Sequence, residues 1–182
     1  MAEISKNTLP LEECVVKLLK EKGLTITTAE SCTGGLLSGR LINVSGVSEQ
    51  LKEAYVTYCD EAKQKLLGVN EETLAKYTAV SRETAEEMAI GGAKAANADI
   101  CLSVTGVAGP NDEGADFPAG LVYIGCCFGG KTVVRKYQFY GGRMEVREHS
   151  VEAALCLVLE LLTEKGDCSH GAATGTAEER EQ

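Results

Sequence analysis

Leu11, Cys14, Val15, Leu18 and Leu19 recur at helical intervals, and Gly23 follows where a left-handed cap would end that helix. The β-branched run over 25–29 predicts a short strand, and helical character returns from Gly34 to Ile42, which leaves Ser31 at a strand-to-helix turn. Residues 55–59 predict a second strand, with Asp60 as cap of a helix that runs from Glu61 toward Leu67 and stops at Gly68; Lys63 falls in its first turns. Ser81 is placed to cap an alanine-rich helix through Met88, Ala89 and Ala93, and the strand 100–104 follows. From Thr105 a loop rich in Gly, Pro and Asp continues to about Pro118. Strands over 121–128 and 132–139 meet at Gly129-Gly130, a hairpin signal, and Val146 to Leu162 predicts a long closing helix.

Strands interspersed with helices of this length predict an α/β fold, a three-layer α/β/α sandwich; the hairpin makes its β-sheet mixed. Residues 1–164 are expected to form one domain, and the small, polar residues 165–182 a disordered tail. No internal repeat is visible.

Composition narrows the function more than the fold. With 44% hydrophobic and 25% charged residues, the 182-residue chain has the make-up of an ordinary globular protein with enough length to bury a core without metals or disulfides. Its formal net charge of −9 repels polyanions, and no long basic run offsets it, so nucleic acid is not an expected partner. An anionic small ligand must then be held by a few local cations or by backbone N–H groups. No apolar run approaches a membrane span and the opening MAEISKNTLP is polar, so neither anchor nor signal peptide is expected. The eight cysteines mostly interrupt apolar segments and form no C-x-x-C pair. They are read as reduced thiols in a cytoplasmic protein, with no structural metal and no cofactor.

Several residues could carry chemistry. Ser31 stands where backbone N–H groups of the following turn point outward, a setting in which a hydroxyl can be a nucleophile beside oxyanion donors. The competing interpretation is a plain helix cap. Only two histidines are present, His149 near the closing helix and His170 in the tail, so a Ser-His-Asp triad is poorly supplied; a desolvated lysine, Lys63, can replace the base, although most lysines are simply solvated. Thr105 to Pro110 lies beyond the carboxyl end of a strand, where open α/β sheets bind ligands, or is a plain turn. Arg143 and Arg147, four apart, could face a phosphate or pair on the surface. Asp112, Glu113 and Asp116 lack EF-hand spacing and read as a solvated loop. Cys32, beside Ser31, offers a rival thiol nucleophile.

AESCTGG, GVSEQLKEAYVTYCDEAKQKLLGV, TAVSRETAEEMA, TGVAGP and FYGGRMEVRE follow one another in an order that resembles the carboxy-terminal domain of the CinA family, over about Leu11 to Leu162. The resemblance implies a nicotinamide-nucleotide amidase that converts nicotinamide mononucleotide to nicotinic acid mononucleotide and ammonia, in pyridine-nucleotide recycling. It implies Ser31 as nucleophile, with Lys63 as base and Tyr58 assisting proton transfer. It places substrate contacts at Thr33, Gly34, Gly35, Ser48, Thr105, Gly106 and Gly109, with Arg143 and Arg147 on the phosphate side. Ala54, Phe117 and Gly142 depart from residues frequent in the family, and the loop 111–116 is more acidic than expected. The expected partner is a small pyridine nucleotide, with a homodimer as the expected assembly. The chain is read as a form without the amino-terminal domain of longer family members. The alternative is a non-catalytic nucleotide-binding or regulatory module.

Overall fold

Two runs of small and β-branched residues, Ile26–Glu30 (β1) and Ile100–Gly106 (β3), lie side by side in parallel at the middle of the sheet, with Ile26 opposite Ile100 and Glu30 opposite Val104. Every residue of β1 and all but the last of β3 are buried, as expected of strands covered on both faces. The computed structural model describes residues 9–112, 114, 116–163 and 176–177. Tyr55–Val56 (β2) extends the sheet in parallel beyond β1, and the antiparallel hairpin Leu121–Phe128 (β4) and Lys131–Gln138 (β5) extends it beyond β3. Thr176–Ala177 (β6) pairs antiparallel with β5, giving the order β2-β1-β3-β4-β5-β6. The remainder of the tail lies outside the described residues.

Helices cover both faces. Leu11–Lys22 (α1), Leu36–Ile42 (α2) and Arg143–Thr163 (α6) close one face over Ile26, Ile100, Leu102, Val104, Val122, Ile124 and Cys126. Asp60–Leu67 (α3), Glu71–Tyr77 (α4) and Arg82–Ala96 (α5) close the other, over Ala29 and Cys101. Helix α5 rides unusually close to the strands. At Gly125 of β4 an added Cβ would lie 2.5 Å from Ser103 Oγ and 2.9 Å from the Ala85 carbonyl oxygen, so only hydrogen fits there. This is the three-layer α/β/α sandwich with a mixed sheet. Among the described residues no helix is long and apolar enough to cross a membrane.

Element ends differ from the sequence reading in three places that bear on the site. The strand predicted over 55–59 pairs only at Tyr55–Val56, because the chain turns away after Thr57 gives its N–H to the Glu30 carbonyl at 2.7 Å. Helix α3 begins at Asp60 rather than after it, with Cys59 at the cap position and no side-chain cap bond. Helix α2 begins at Leu36, because Gly34 and Gly35 turn through φ of 57° and 93°, left-handed values that a side chain at either position would strain.

Candidate active site

The connections leaving β1 and β2 run to opposite faces of the sheet, through α2 and α3, and open a crevice at the carboxyl ends of the parallel strands. Ser31, the first residue past β1, is held there by its N–H, which donates to the Val104 carbonyl at 2.9 Å. Lys63, on α3, crosses into the same crevice, and its Nζ lies 3.3 Å from Ser31 Oγ and 3.0 Å from the Thr57 carbonyl it donates to. Only 1% of Lys63 is exposed, and desolvation lowers its pKa below the ordinary lysine range; Asp60, with Oδ1 at 3.9 Å, opposes that shift. A hydroxyl and a depressed amine thus meet in a nearly dry place, which is what transfer of a proton from one to the other requires. Thr57 and Asp60 fix the amine; the sequence offers Asp60 only as a helix cap and Thr57 only as a strand residue.

The turn between Ser31 and α2 differs from the expectation that the helix start presents open N–H donors. Glu30 is fully buried, and its carboxylate closes the helix: Oε2 accepts from the amides of Gly35 (2.9 Å) and Leu37 (3.0 Å), and Oε1 from Ser38 N–H (2.8 Å) and the Thr28 hydroxyl (3.1 Å). Gly35 is therefore a partner of Glu30. Gly34 gives its N–H to the Ser31 carbonyl at 3.1 Å, leaving the amides of Cys32 and Thr33 with no acceptor on another residue among the described residues. The Thr33 hydroxyl is buried and has no partner there either. A carboxylate ending a fully buried strand just before a helix is the signal that could have exposed Glu30.

The arginines are already engaged. Arg147 donates from Nε to the Cys32 carbonyl (3.1 Å) and from Nη2 to the Thr33 carbonyl (2.7 Å). Arg143, exposed, donates to the Gly109 carbonyl and to the Tyr58 hydroxyl, both at 2.8 Å. Tyr58, 63% exposed, thus has its hydroxyl on Arg143 and not on Lys63, the residue with which the family resemblance pairs it. Thr105 turns its hydroxyl to the Ala79 carbonyl (2.6 Å). At Gly106 a Cβ would lie 2.7 Å from Val122 Cα, so the missing side chain makes room for β4 rather than for a ligand. Ser48 is exposed on a short helical turn leading to Leu51, which pairs with Ile26; it belongs to the amino end of β1, whereas Ser31 is at the carboxyl end. The structure does not bring it to the crevice.

Cys32 is buried, and burial pushes its thiol up to about 12 despite the nearby Arg147, so the thiolate that a cysteine nucleophile needs is disfavoured. Among the described residues no group of three or more His, Cys, Asp or Glu side chains is placed to hold a metal ion.

Comparison with known proteins gives a consistent assignment. The CinA C-terminal domain model matches residues 8–162. A CinA-like protein of Kosmotoga olearia is 52% identical over 152 residues, covering 84% of this chain and 37% of that protein. A putative competence-damage inducible protein of Clostridium acetobutylicum is 54% identical over 145 residues, covering 80% and 35%. The chain spans a little over a third of these curated relatives. The crystal structure of the competence damage-inducible protein A (ComA) from Klebsiella pneumoniae superposes with a TM-score of 0.81 at 38% identity, covering 84% of this chain and 94% of that one. Competence/damage inducible protein CihA from Agrobacterium tumefaciens follows at 0.79 and 37%, covering 85% and 98%. With the family model spanning nearly the whole described core and the fold shared at this identity, the chain belongs to the CinA family, through its C-terminal domain.

Proposed function

We propose that this domain is a serine amidohydrolase that converts nicotinamide mononucleotide to nicotinic acid mononucleotide and ammonia. The observation that carries the chemistry is the 3.3 Å approach of Ser31 Oγ to the buried Nζ of Lys63; the nucleotide comes from the family resemblance. A neutral Lys63 has two N–H bonds and one lone pair. With Thr57 accepting one hydrogen and Asp60 close to another, the lone pair is left for the Ser31 hydroxyl.

Ser31 Oγ attacks the carboxamide carbon as its proton moves to Lys63, and the carbonyl oxygen becomes an oxyanion facing the amides of Cys32 and Thr33. Lys63 returns the proton to the departing nitrogen, and ammonia leaves the acyl-enzyme. Water, giving a proton to Lys63, then cleaves the ester, releases the carboxylic acid and restores Ser31. Arg143, at the mouth of the crevice, holds the phosphate by exchanging the Gly109 carbonyl and Tyr58 hydroxyl for phosphate oxygens.

The test is release of ammonia and nicotinic acid mononucleotide from the purified domain. Ser31→Ala and Lys63→Met are each expected to lower kcat about a thousandfold or more with the fold retained. Nucleotide binding without deamidation by the unaltered protein would instead indicate a binding module, and undiminished ammonia release from Ser31→Ala would reject the nucleophile.

A further inference from the structure

We infer that Arg147 is a positioning residue that aims the oxyanion-binding amides, and is not a phosphate ligand; the inference rests on the acyl-transfer reading above. Its two guanidinium bonds, at 3.1 and 2.7 Å, go to consecutive carbonyls, those of Cys32 and Thr33, across a sequence separation of 114 residues or more. In a trans peptide the C=O and the following N–H point in opposite directions within one rigid plane. Fixing the Cys32 carbonyl on Arg147 therefore points the Thr33 N–H away from Arg147. Fixing the Thr33 carbonyl, which also accepts from the Leu36 N–H at 3.3 Å, orients the next plane, whose Gly34 N–H donates to the Ser31 carbonyl at 3.1 Å. That bond in turn orients the Ser31–Cys32 plane and its Cys32 N–H. The Thr33 amide is thus set directly by one side chain, and the Cys32 amide through a relay that Arg147 shares with the Leu36 N–H.

Neighbouring groups leave Arg147 this task. Glu30 occupies the amides of Gly35, Leu37 and Ser38, so the start of α2 cannot hold the oxyanion. Arg147 lies half-buried on the first turns of α6, and Cβ at Gly34 would be 3.5 Å from its Nη2, so the guanidinium packs beneath the turn. Its third nitrogen, Nη1, faces Met144 Sδ at 3.2 Å.

The experiment compares Arg147→Gln and Arg147→Lys with the unaltered domain, whose turnover of nicotinamide mononucleotide is measured first; absence of that turnover would count against the proposed function rather than against Arg147. Given turnover, Arg147→Gln is expected to lose at least about tenfold in kcat, approaching the ~10²–10³-fold cost of a lost oxyanion donor. KM and the calorimetric Kd for nicotinic acid mononucleotide stay within about threefold, since no ligand contact is removed. Arg147→Lys, which keeps one donor toward one carbonyl, recovers part of kcat, as does guanidinium ion added to Arg147→Gln. A rise of tenfold or more in KM and Kd with kcat retained would make Arg147 a phosphate ligand and overturn the inference, as would unchanged kcat. Should Arg147→Gln lose its native circular dichroism, Arg147→Lys decides by the same split.

Discussion

Replacing Glu30 by Gln tests how much of the site's architecture depends on one buried carboxylate. The substitution is nearly isosteric and keeps one oxygen. Placed at the Oε2 position, that oxygen still accepts from Gly35 and Leu37, and the new NH2 can turn a hydrogen to the Thr28 hydroxyl. It then faces the Ser38 N–H, which sat 2.8 Å from Oε1, donor against donor. One buried amide left unpaired costs about 1–3 kcal/mol. Losing the negative charge at the start of α2 adds about 0.3–2 kcal/mol, the upper part applying because Glu30 is fully buried. The expected loss is about 2–4 kcal/mol, a large share of the about 5–15 kcal/mol typical of a domain. At about 2–4 °C per kcal/mol for a domain of roughly this size, the melting temperature should fall by about 5–15 °C. Circular-dichroism melts, with urea midpoints at unchanged m-value, measure it. Glu30→Ala, which orphans three amides and leaves a cavity, should exceed about 4 kcal/mol. A fall in Tm under about 2 °C for Glu30→Gln, less than about 1 kcal/mol by the same scaling, would refute the claim that this carboxylate closes the helix.

Other expectations follow from the same geometry. Because desolvation lowers the Lys63 pKa and the neutral amine is the reactive form, kcat/KM should rise with pH through that depressed value and then level; a flat profile would remove Lys63 from the role of base. The folded state then binds fewer protons than the unfolded one between that value and the ordinary lysine range, so stability should rise with pH there, and Lys63→Met should abolish that slope in pH-dependent urea titrations. Cys32→Ala should keep most of the turnover, and iodoacetamide at neutral pH should leave Cys32 unmodified, its thiol being pushed up to about 12; a loss matching that of Ser31→Ala would contradict this. Gly106→Ala drives a methyl into the Leu121 carbonyl and to 2.7 Å from Val122 Cα, both rigid backbone, and should cost about 1–3 kcal/mol in urea denaturation.

The elements that the hydrophobic pattern could reveal are those long enough to show a period. Helix α1 shows its apolar face at Leu11, Val15 and Leu19, all buried. The β4–β5 hairpin shows its turn at Gly129-Gly130, both at positive φ. Helix α4 has one buried apolar residue, Leu74, in seven, too few to display periodicity, so the segment between Gly68 and Ser81 carried no readable signal. Within the site, the strand-to-helix position of Ser31 was legible locally. Its meeting with Lys63, 32 residues on, rests in the sequence on the shortage of histidines, which leaves a lysine as candidate base, and on the ordered motifs. The resemblance pairs Tyr58 with Lys63, yet the partner of its hydroxyl, Arg143, is 85 residues away, a contact that only tertiary packing decides.

On the proposed reading, an acidic protein must hold an anionic nucleotide, which needs a cation that can be released where it is required. Among Lys63, Arg143 and Arg147, burial separates the roles. Lys63 is enclosed and held between Ser31, Thr57 and Asp60, which suits a proton acceptor and makes it a poor ligand for a phosphate that must come and go. Arg147 is half-buried with both carbonyl bonds made, and to withdraw it would leave the Cys32 carbonyl unsatisfied and the Thr33 carbonyl with only the Leu36 N–H at 3.3 Å. Arg143 alone has partners that water can replace: an exposed tyrosine hydroxyl and a loop carbonyl, both neutral. A phosphate offers charged acceptors in their place, in the two-pronged geometry that a guanidinium matches. The exchange therefore runs toward the ligand at Arg143 and against it at Arg147. Under the proposed function, that asymmetry gives binding to one arginine and alignment to the other, four residues apart on the same helix.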